Sequence, residues 1–407
     1  MSGGVSGGRQ PHRSTTYELL EPEKVAAYID ARPELADRVD TSSLDVTEVG
    51  DGNLNLVFVC QDGGGRGIVL KQALPYVRLV GPSWPFTPER AVAEARAYAV
   101  HGRFAAEYLP AFYGFDAERY ILAMEDLTDH RVWRGALTDG ERHDSAAGDV
   151  GRYVARVAFH TSLFGVEAKE LKWLTAAAIN PDLCEITEDL VLTEPFSGAD
   201  RNWFQDELAD AAASLQTPEL KAAAGELKYA FMTRAEALLH GDLHTGSVMV
   251  KDGSTRAFDS EFAFYGPIAF DLALPWSNFI VTMARDAVLG REEHGAWAAT
   301  LFEQLWDAFE AEFRALWPGV VDPRVFNEPF LERWLAQTQR DAAAFAATEA
   351  ARRIVGLAHV PDLETLDVEP RAVAGRAVIE TVKRLLLDRP ETAGEVSAIA
   401  REEVARG

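Results

Sequence analysis

Residues 240–261 read HGDLHTGSVMVKDGSTRAFDSE. EALLHGDL, over 236–243, reads as a strand that gives way to a loop at His240-Gly241-Asp242. SVMVK and TRAFDSE, joined at Asp252-Gly253, have the turn chemistry of a tight hairpin, and the spacing runs its second strand on to Asp259. The segments around this β island are helical in character. Ala, Leu, Glu and Arg dominate 145–165, 204–238, 293–316 and 371–405.

The other half of the chain has a different texture. LDVTEVG, LNLVFVCQ and GIVLKQA, between Leu44 and Ala73, are β-branched and partly alternating, and residues 62–67 (DGGGRG) make a hairpin connection between the last two. A helix is expected from near Thr87, with Thr as N-cap and Pro88 at the first helical position. ERYILAME, ending in Met124-Glu125-Asp126-Leu127, is a further strand candidate. The expected fold class is α+β and bilobal, protein-kinase-like: a flexible leader over 1–15, a small β-rich N-lobe over 16–126 that covers the nucleotide, and a larger, mainly helical, catalytic C-lobe over 127–407.

Composition limits the function. A formal net charge of −24 argues against nucleic acid, whose phosphates demand a basic footprint. The acidity also suits cationic ligands, but a self-repelling soluble surface explains it as well. Two cysteines, Cys60 and Cys184, lack CxxC spacing, so a disulfide scaffold or zinc knuckle is not expected and a reducing cytoplasm fits. The polar, glycine-rich N-terminus is unlike a signal peptide, and no apolar run approaches the roughly 20 residues of a membrane span.

The order of acids points to phosphoryl transfer. Moving a phosphoryl group to an alcohol needs a carboxylate to take the hydroxyl proton and further carboxylates to hold Mg²⁺ against the ATP triphosphate. Protein kinases place a catalytic Asp, a metal-binding Asn five positions on, and a metal-binding Asp after the next hairpin. Here Asp242 is the candidate base, Ser247 stands five positions on, and Asp259 and Glu261 are the candidate metal ligands. His240 and His244 are four apart, but Gly-Asp-Leu between them does not make a zinc helix. His240 reads as an anchor of the loop, and Asp271 as an acceptor for its backbone N–H groups. Lys71, on the third strand candidate, can reach the α and β phosphates, with Glu94 on the next helix as its ion-pair partner. The loop 51–55, with Asn53 at its centre, would cover the phosphates, whereas Gly63-Gly64-Gly65 lies one hairpin too late and reads as a plain turn. No Walker A sequence occurs. Backbone groups of Met124, Glu125 and Leu127 would meet the adenine edge.

Taken together these blocks resemble the S-methyl-5-thioribose kinases, a branch of the aminoglycoside phosphotransferase and choline kinase group. The resemblance is carried by Asp51-Gly-Asn-Leu-Asn-Leu56, Lys71-Gln-Ala-Leu-Pro-Tyr-Val77, Gly81-Pro-Ser-Trp-Pro85, Met124-Glu-Asp-Leu127, His240-Gly-Asp-Leu-His-Thr-Gly-Ser247, Glu261-Phe-Ala-Phe-Tyr-Gly-Pro267 and Arg352-Arg-Ile-Val-Gly-Leu-Ala-His359. It implies ATP-dependent phosphorylation of the anomeric 1-hydroxyl of 5-methylthioribose in methionine salvage, with ATP and Mg²⁺ as cofactors, a small sugar as substrate and a homodimer as the assembly. By it Asp242 looks like the base, Asp259 and Glu261 the magnesium ligands, and Arg352 and Arg353 the pair at the sugar and the transferred phosphoryl. Planar forked guanidinium donors suit phosphate oxygens. Read without the resemblance, the two arginines are a solvated pair at a helix end. Ser260 stands where the family usually has proline, and Ala269-Phe270-Asp271 where it commonly has Gly-Phe-Asp. Other acceptors, such as 5-deoxyribose or an aminoglycoside, and a nucleotide-binding pseudokinase are the rival readings. The pseudokinase would have lost one of Lys71, Asp242, Asp259 or Glu261, and all four are present.

Overall fold

Phe58 and Cys60 on one strand, Ile68 and Leu70 on the next, and Ile121 and Ala123 on a third are all buried in one apolar cluster. Alternate residues of a strand share a face, so this spacing builds a sheet with one side in a core. The computed structural model describes residues 17–50, 54–76, 83 and 86–406. The leader, Asp51, Gly52 and Asn53 of the expected phosphate-covering loop, Val77, and residues 81, 82, 84 and 85 of the quoted blocks lie outside the described residues. The chain divides into two compact units, one up to Ala95 together with Phe112–Asp126, the other Arg96–Ala111 together with Leu127 to the C-terminus.

The first unit opens with α1 (Val25–Asp30), which lays Val25 and Ile29 on the cluster at helical i, i+4 spacing. An antiparallel sheet follows: β1 (Asp45–Glu48), β2 (Asn55–Gln61), β3 (Gly67–Ala73), and, after the helix α2 (Arg90–Ala105), β4 (Phe112–Asp116) and β5 (Ile121–Glu125). The strand order is β1-β2-β3-β5-β4. Phe58 pairs with Leu70 and Leu70 with Ala123, so the buried row runs across the sheet at one level. The strand β4 was not among the sequence candidates. Gly114 interrupts its alternation, and the register shifts between Phe112 and Gly114. The helix α2 starts later than expected, at Arg90, and Thr87 Oγ1 accepts the N–H of Glu89 at 3.2 Å. Arg90 is buried and donates to Leu54 O, Leu74 O, Thr87 O and Asn55 Oδ1, tying the helix start to the strand ends.

Residues 96–111 lie inside the expected N-lobe but cluster with the second unit. His101 explains part of this, with Nδ1 2.8 Å from Tyr153 Oη and Nε2 3.1 Å from Leu238 O. The second unit carries β6 (Arg131–Val132), α3 (Trp133–Asp139), α4 (Ala146–Thr161), α5 (Pro218–Thr233), β7 (Ala237–Leu238), β8 (Val248–Lys251), β9 (Ser254–Ala257), β10 (Tyr265–Gly266), α6 (Ile268–Val288), α7 (Leu301–Leu316), α8 (Glu328–Val355), α9 (Val368–Asp388) and α10 (Ala393–Arg406). β7 pairs with β10, and β6, β8 and β9 form a second small sheet.

Three expectations shift here. The strand read over 236–243 shrinks to Ala237–Leu238, because the loop backbone from His240 is spent on side-chain acceptors instead. The second hairpin strand ends at Ala257, not Asp259, since Asp259 turns into the left-handed region at φ 69°. The helical stretch 371–405 is two helices, broken at Arg389 (φ 51°) ahead of Pro390. Helix α6 is buried from Ile268 to Asp286 and carries Pro275 inside it. It therefore lacks the one-sided apolar stripe by which a helix is read. The two units are the small β-rich lobe and the larger helical lobe of a protein-kinase-like α+β fold. Among the described residues no helix is long and apolar enough to cross a membrane.

Candidate active site

The loop after β7 is held from below by the first turn of α6. Asp271 Oδ2 accepts the N–H of His240 at 2.7 Å and Oδ1 that of Gly241 at 2.9 Å. Burial pushes the Asp271 carboxyl up to about 7, against the pull of those two N–H groups. The His240 ring is buried and stitches the loop to the next one. The Asp242 N–H donates to its Nδ1 at 3.3 Å, so Nε2 carries the hydrogen and donates to Phe258 O at 3.0 Å. With both nitrogens so engaged, His240 has no lone pair left for a metal. Gly241 adopts φ 83°, and a Cβ there would stand 2.3 Å from Phe262 O. Gly241→Ala is accordingly expected to lower the unfolding free energy by about 1–3 kcal/mol, read as a shifted midpoint in urea.

Asp259 and Glu261 follow β9. Their carboxylate oxygens come within 4.8 Å of one another, and oxygen donors of this kind suit a hard divalent cation. The backbone beneath them is fixed: the Asp259 N–H donates to Tyr98 Oη at 3.1 Å, and Asn180 Nδ2 donates to Glu261 O at 2.8 Å and Ala263 O at 3.2 Å.

Arg352 and Arg353 end α8, with side chains only 12% and 5% exposed. The solvated helix-end reading is thereby corrected. Glu349, three and four residues earlier on the same helix, is fully buried and accepts from Arg352 Nε at 2.7 Å and Arg353 Nε at 2.8 Å. Burial works to raise the Glu349 pKa, and the two guanidiniums overcome it and hold the carboxyl below its usual range. Arg353 is pushed down to about 10, by burial first and by its neighbour Arg352 second.

Asp242 sits in the field of this pair. Its side chain keeps 24% of its exposure. Burial raises its pKa to about 6, with Glu349 and Asp259 adding to the rise and Arg352 and Arg353 opposing it. A base works in its ionised form, so kcat/KM, which reports the free enzyme, is expected to fall about tenfold per pH unit below about 6. A profile flat down to pH 5 would remove Asp242 from that role.

In the first unit Lys71 Nζ lies 2.8 and 2.7 Å from the two Glu94 carboxylate oxygens, and both side chains are buried. Met124 and Glu125 end β5, and Leu127 is buried with its carbonyl accepting from His130 N at 2.9 Å. Thus Asp242, Asp259, Arg352 and Arg353 share one electrostatic neighbourhood in the helical unit, and Lys71 and Glu94 form a pair in the sheet unit. Reading the sequence missed Glu349 and Asn180. Glu349 becomes visible once α8 is known to be helical, because i, i+3 and i, i+4 then point one way. Asn180 precedes an ordinary Pro-initiated helix, and no sequence pattern distinguishes it.

Residues 45–309 match the model of the Phosphotransferase enzyme family. A methylthioribose kinase from Pectobacterium carotovorum subsp. carotovorum (strain PC1) is 40% identical over 366 residues, 87% of this chain and 90% of that enzyme. One from Yersinia enterocolitica serotype O:8 / biotype 1B is 40% identical over 352 residues, covering 84% and 87% of the two chains. Among solved structures, a choline/ethanolamine kinase family protein from Mesorhizobium loti aligns with a TM-score of 0.43 at 14% identity, over 95% of this chain and 99% of that one. The chain belongs to the methylthioribose kinase family, within the phosphotransferase enzyme family.

Proposed function

We propose that the protein transfers the γ-phosphoryl group of ATP to the anomeric 1-hydroxyl of 5-methylthioribose, a step of methionine salvage. Phosphoryl transfer to a hydroxyl acceptor is the chemistry of its family. The observation that carries the reading within this chain is Asp242, a carboxylate of raised pKa set against two largely buried arginines. In the step itself the sugar oxygen bonds to the γ-phosphorus, the bond from that phosphorus to the β–γ bridging oxygen breaks, ADP leaves, and the hydroxyl proton goes to Asp242. An anomeric hydroxyl is more acidic than an ordinary alcohol, and a carboxylate whose pKa is raised to about 6 is a stronger base than a free one while still ionised at neutral pH. The forks of Arg352 and Arg353 supply donors to the sugar and to the phosphoryl oxygens.

Asp259 and Glu261 are the residues that would hold Mg²⁺. Bound there, the ion would neutralise triphosphate charge. Lys71, paired with Glu94, is proposed for the α and β phosphates, backbone groups of Met124, Glu125 and Leu127 for adenine, and Asn53 for the covering loop. Ser260 and Ala269 depart from the family pattern, and both are buried, so neither offers a side chain to a sugar from the surface.

The acceptor is tested directly. With ATP and Mg²⁺, ADP release is expected to be fastest, as kcat/KM, with 5-methylthioribose among equal concentrations of 5-deoxyribose, ribose, choline and kanamycin, and to stop with excess EDTA. A larger kcat/KM for any other member of that panel overturns the acceptor.

A further inference from the structure

His244 is a partly buried titratable group of this loop that the chemistry above leaves unused. We infer that it is a positioning residue for the base: Ser247 orients its imidazole, which presents an Nε2–H to Asp242 Oδ2 and holds that carboxylate toward the acceptor hydroxyl. The inference rests on Asp242 being the base. Ser247 Oγ lies 3.1 Å from His244 Nδ1, and His244 Nε2 lies 3.5 Å from Asp242 Oδ2. If Nδ1 carried the hydrogen, the Nε2 lone pair would face a carboxylate and repel it. The opposite tautomer satisfies both ends, with the serine hydroxyl donating to Nδ1 and Nε2–H aimed at the acid. At 3.5 Å the second contact is longer than a hydrogen bond, and catalytic contacts of this kind tighten once substrates bind.

The ring stays neutral. Burial holds its pKa well below the usual range, and Arg134, Arg353 and Arg352 add to the effect. A neutral donor directs the carboxylate without cancelling the charge that makes it a base.

The backbone is shaped for this contact. A single 3₁₀ turn, Thr245–Ser247, folds the serine over the histidine, with the Ser247 N–H donating to His244 O at 2.8 Å. Thr245 is pinned through both its N–H and its hydroxyl to Asn278 Oδ1, at 2.7 and 2.8 Å. Gly246 between them leaves room for both side chains: a Cβ would come 2.9 Å from His244 Cε1 and 2.8 Å from Arg134 Nη1, so the ring or the guanidinium would have to shift. Ser247 also occupies the place where protein kinases carry a metal-binding Asn. With its hydroxyl turned to the imidazole, it serves the base, and the metal is left to the two carboxylates.

His244→Phe keeps a flat ring and removes the donor, and is expected to lower kcat by about 10²-fold with both KM values within about threefold. His244→Gln puts an amide N–H near the Nε2 position and is expected to recover kcat to within about fivefold of the parent. Ser247→Ala frees the ring and is expected to lose about tenfold in kcat. The proposal is overturned if the Phe variant keeps kcat within about twofold, if the loss falls on KM alone, or if Gln is no better than Phe. Should the Phe variant lose its ADP-induced thermal shift, and so its fold, Ser247→Ala decides, and an unchanged kcat there overturns the proposal. An inactive Asp242→Asn beside a fully active His244→Phe would sink this inference alone, whereas an active Asp242→Asn would sink the base beneath it.

Discussion

Asp242→Asn is expected to keep the fold and nucleotide binding and to lose about 10²–10⁴ in kcat. The amide has the shape of the carboxylate but no basic oxygen, so the acceptor proton has nowhere to go. Stability moves the other way. Folding raises the Asp242 pKa from 3.8 to about 6, chiefly by burial. A carboxyl whose pKa rises on folding is favoured protonated in the native state, so stability is lost as pH rises from about 3.8 to about 6, and the whole loss stands above that. At pH 8 the neutral Asn variant should therefore melt no lower than the parent. Calorimetric titration with ADP, a melting curve and single-turnover ADP release separate these quantities. Turnover within about tenfold of the parent would show that another group takes the proton.

Much of this neighbourhood was legible in the sequence, and the remainder shows what a sequence hides. The alternation in β2 and β3 gave the sheet core, since a strand with one buried face writes its contacts in every second residue. The chain order of Asp242, Asp259 and Glu261 around a hairpin gave the acids, because a turn signature fixes which residues are brought back together. Two kinds of feature were not legible. Helix α6, and α8 from Ala342 on, are buried on nearly all sides, so those stretches show no polar face to set against an apolar one. Glu349 depends on α8 being a helix, and Asn180 acts through a contact 81 residues distant. Local pattern carries neither.

The twin arginines carry the larger expected kinetic effect. Arg353→Ala should lower kcat by about 10³–10⁵, the range for an arginine that stabilises a transferring phosphoryl. The fold should survive it. Glu349 keeps its bond to Arg352 Nε at 2.7 Å, so no buried carboxylate is left alone. Glu349→Ala is the opposite experiment. It strands two largely buried guanidiniums side by side, and breaking a buried ion pair by removing one partner costs about 3–5 kcal/mol. Arg353→Lys separates charge from geometry: an ammonium keeps the charge but loses the planar fork that can meet two oxygens at once. If the fork matters, Lys recovers little of the lost kcat. Urea denaturation and steady-state kinetics on all three variants read the two effects independently. Should Arg353→Ala unfold as readily as Glu349→Ala while its folded fraction turns over normally, the pair belongs to the architecture of α8 and not to the chemistry. Should it stay folded and fail to turn over, the buried glutamate is what pays for holding two cations at a site meant for phosphate.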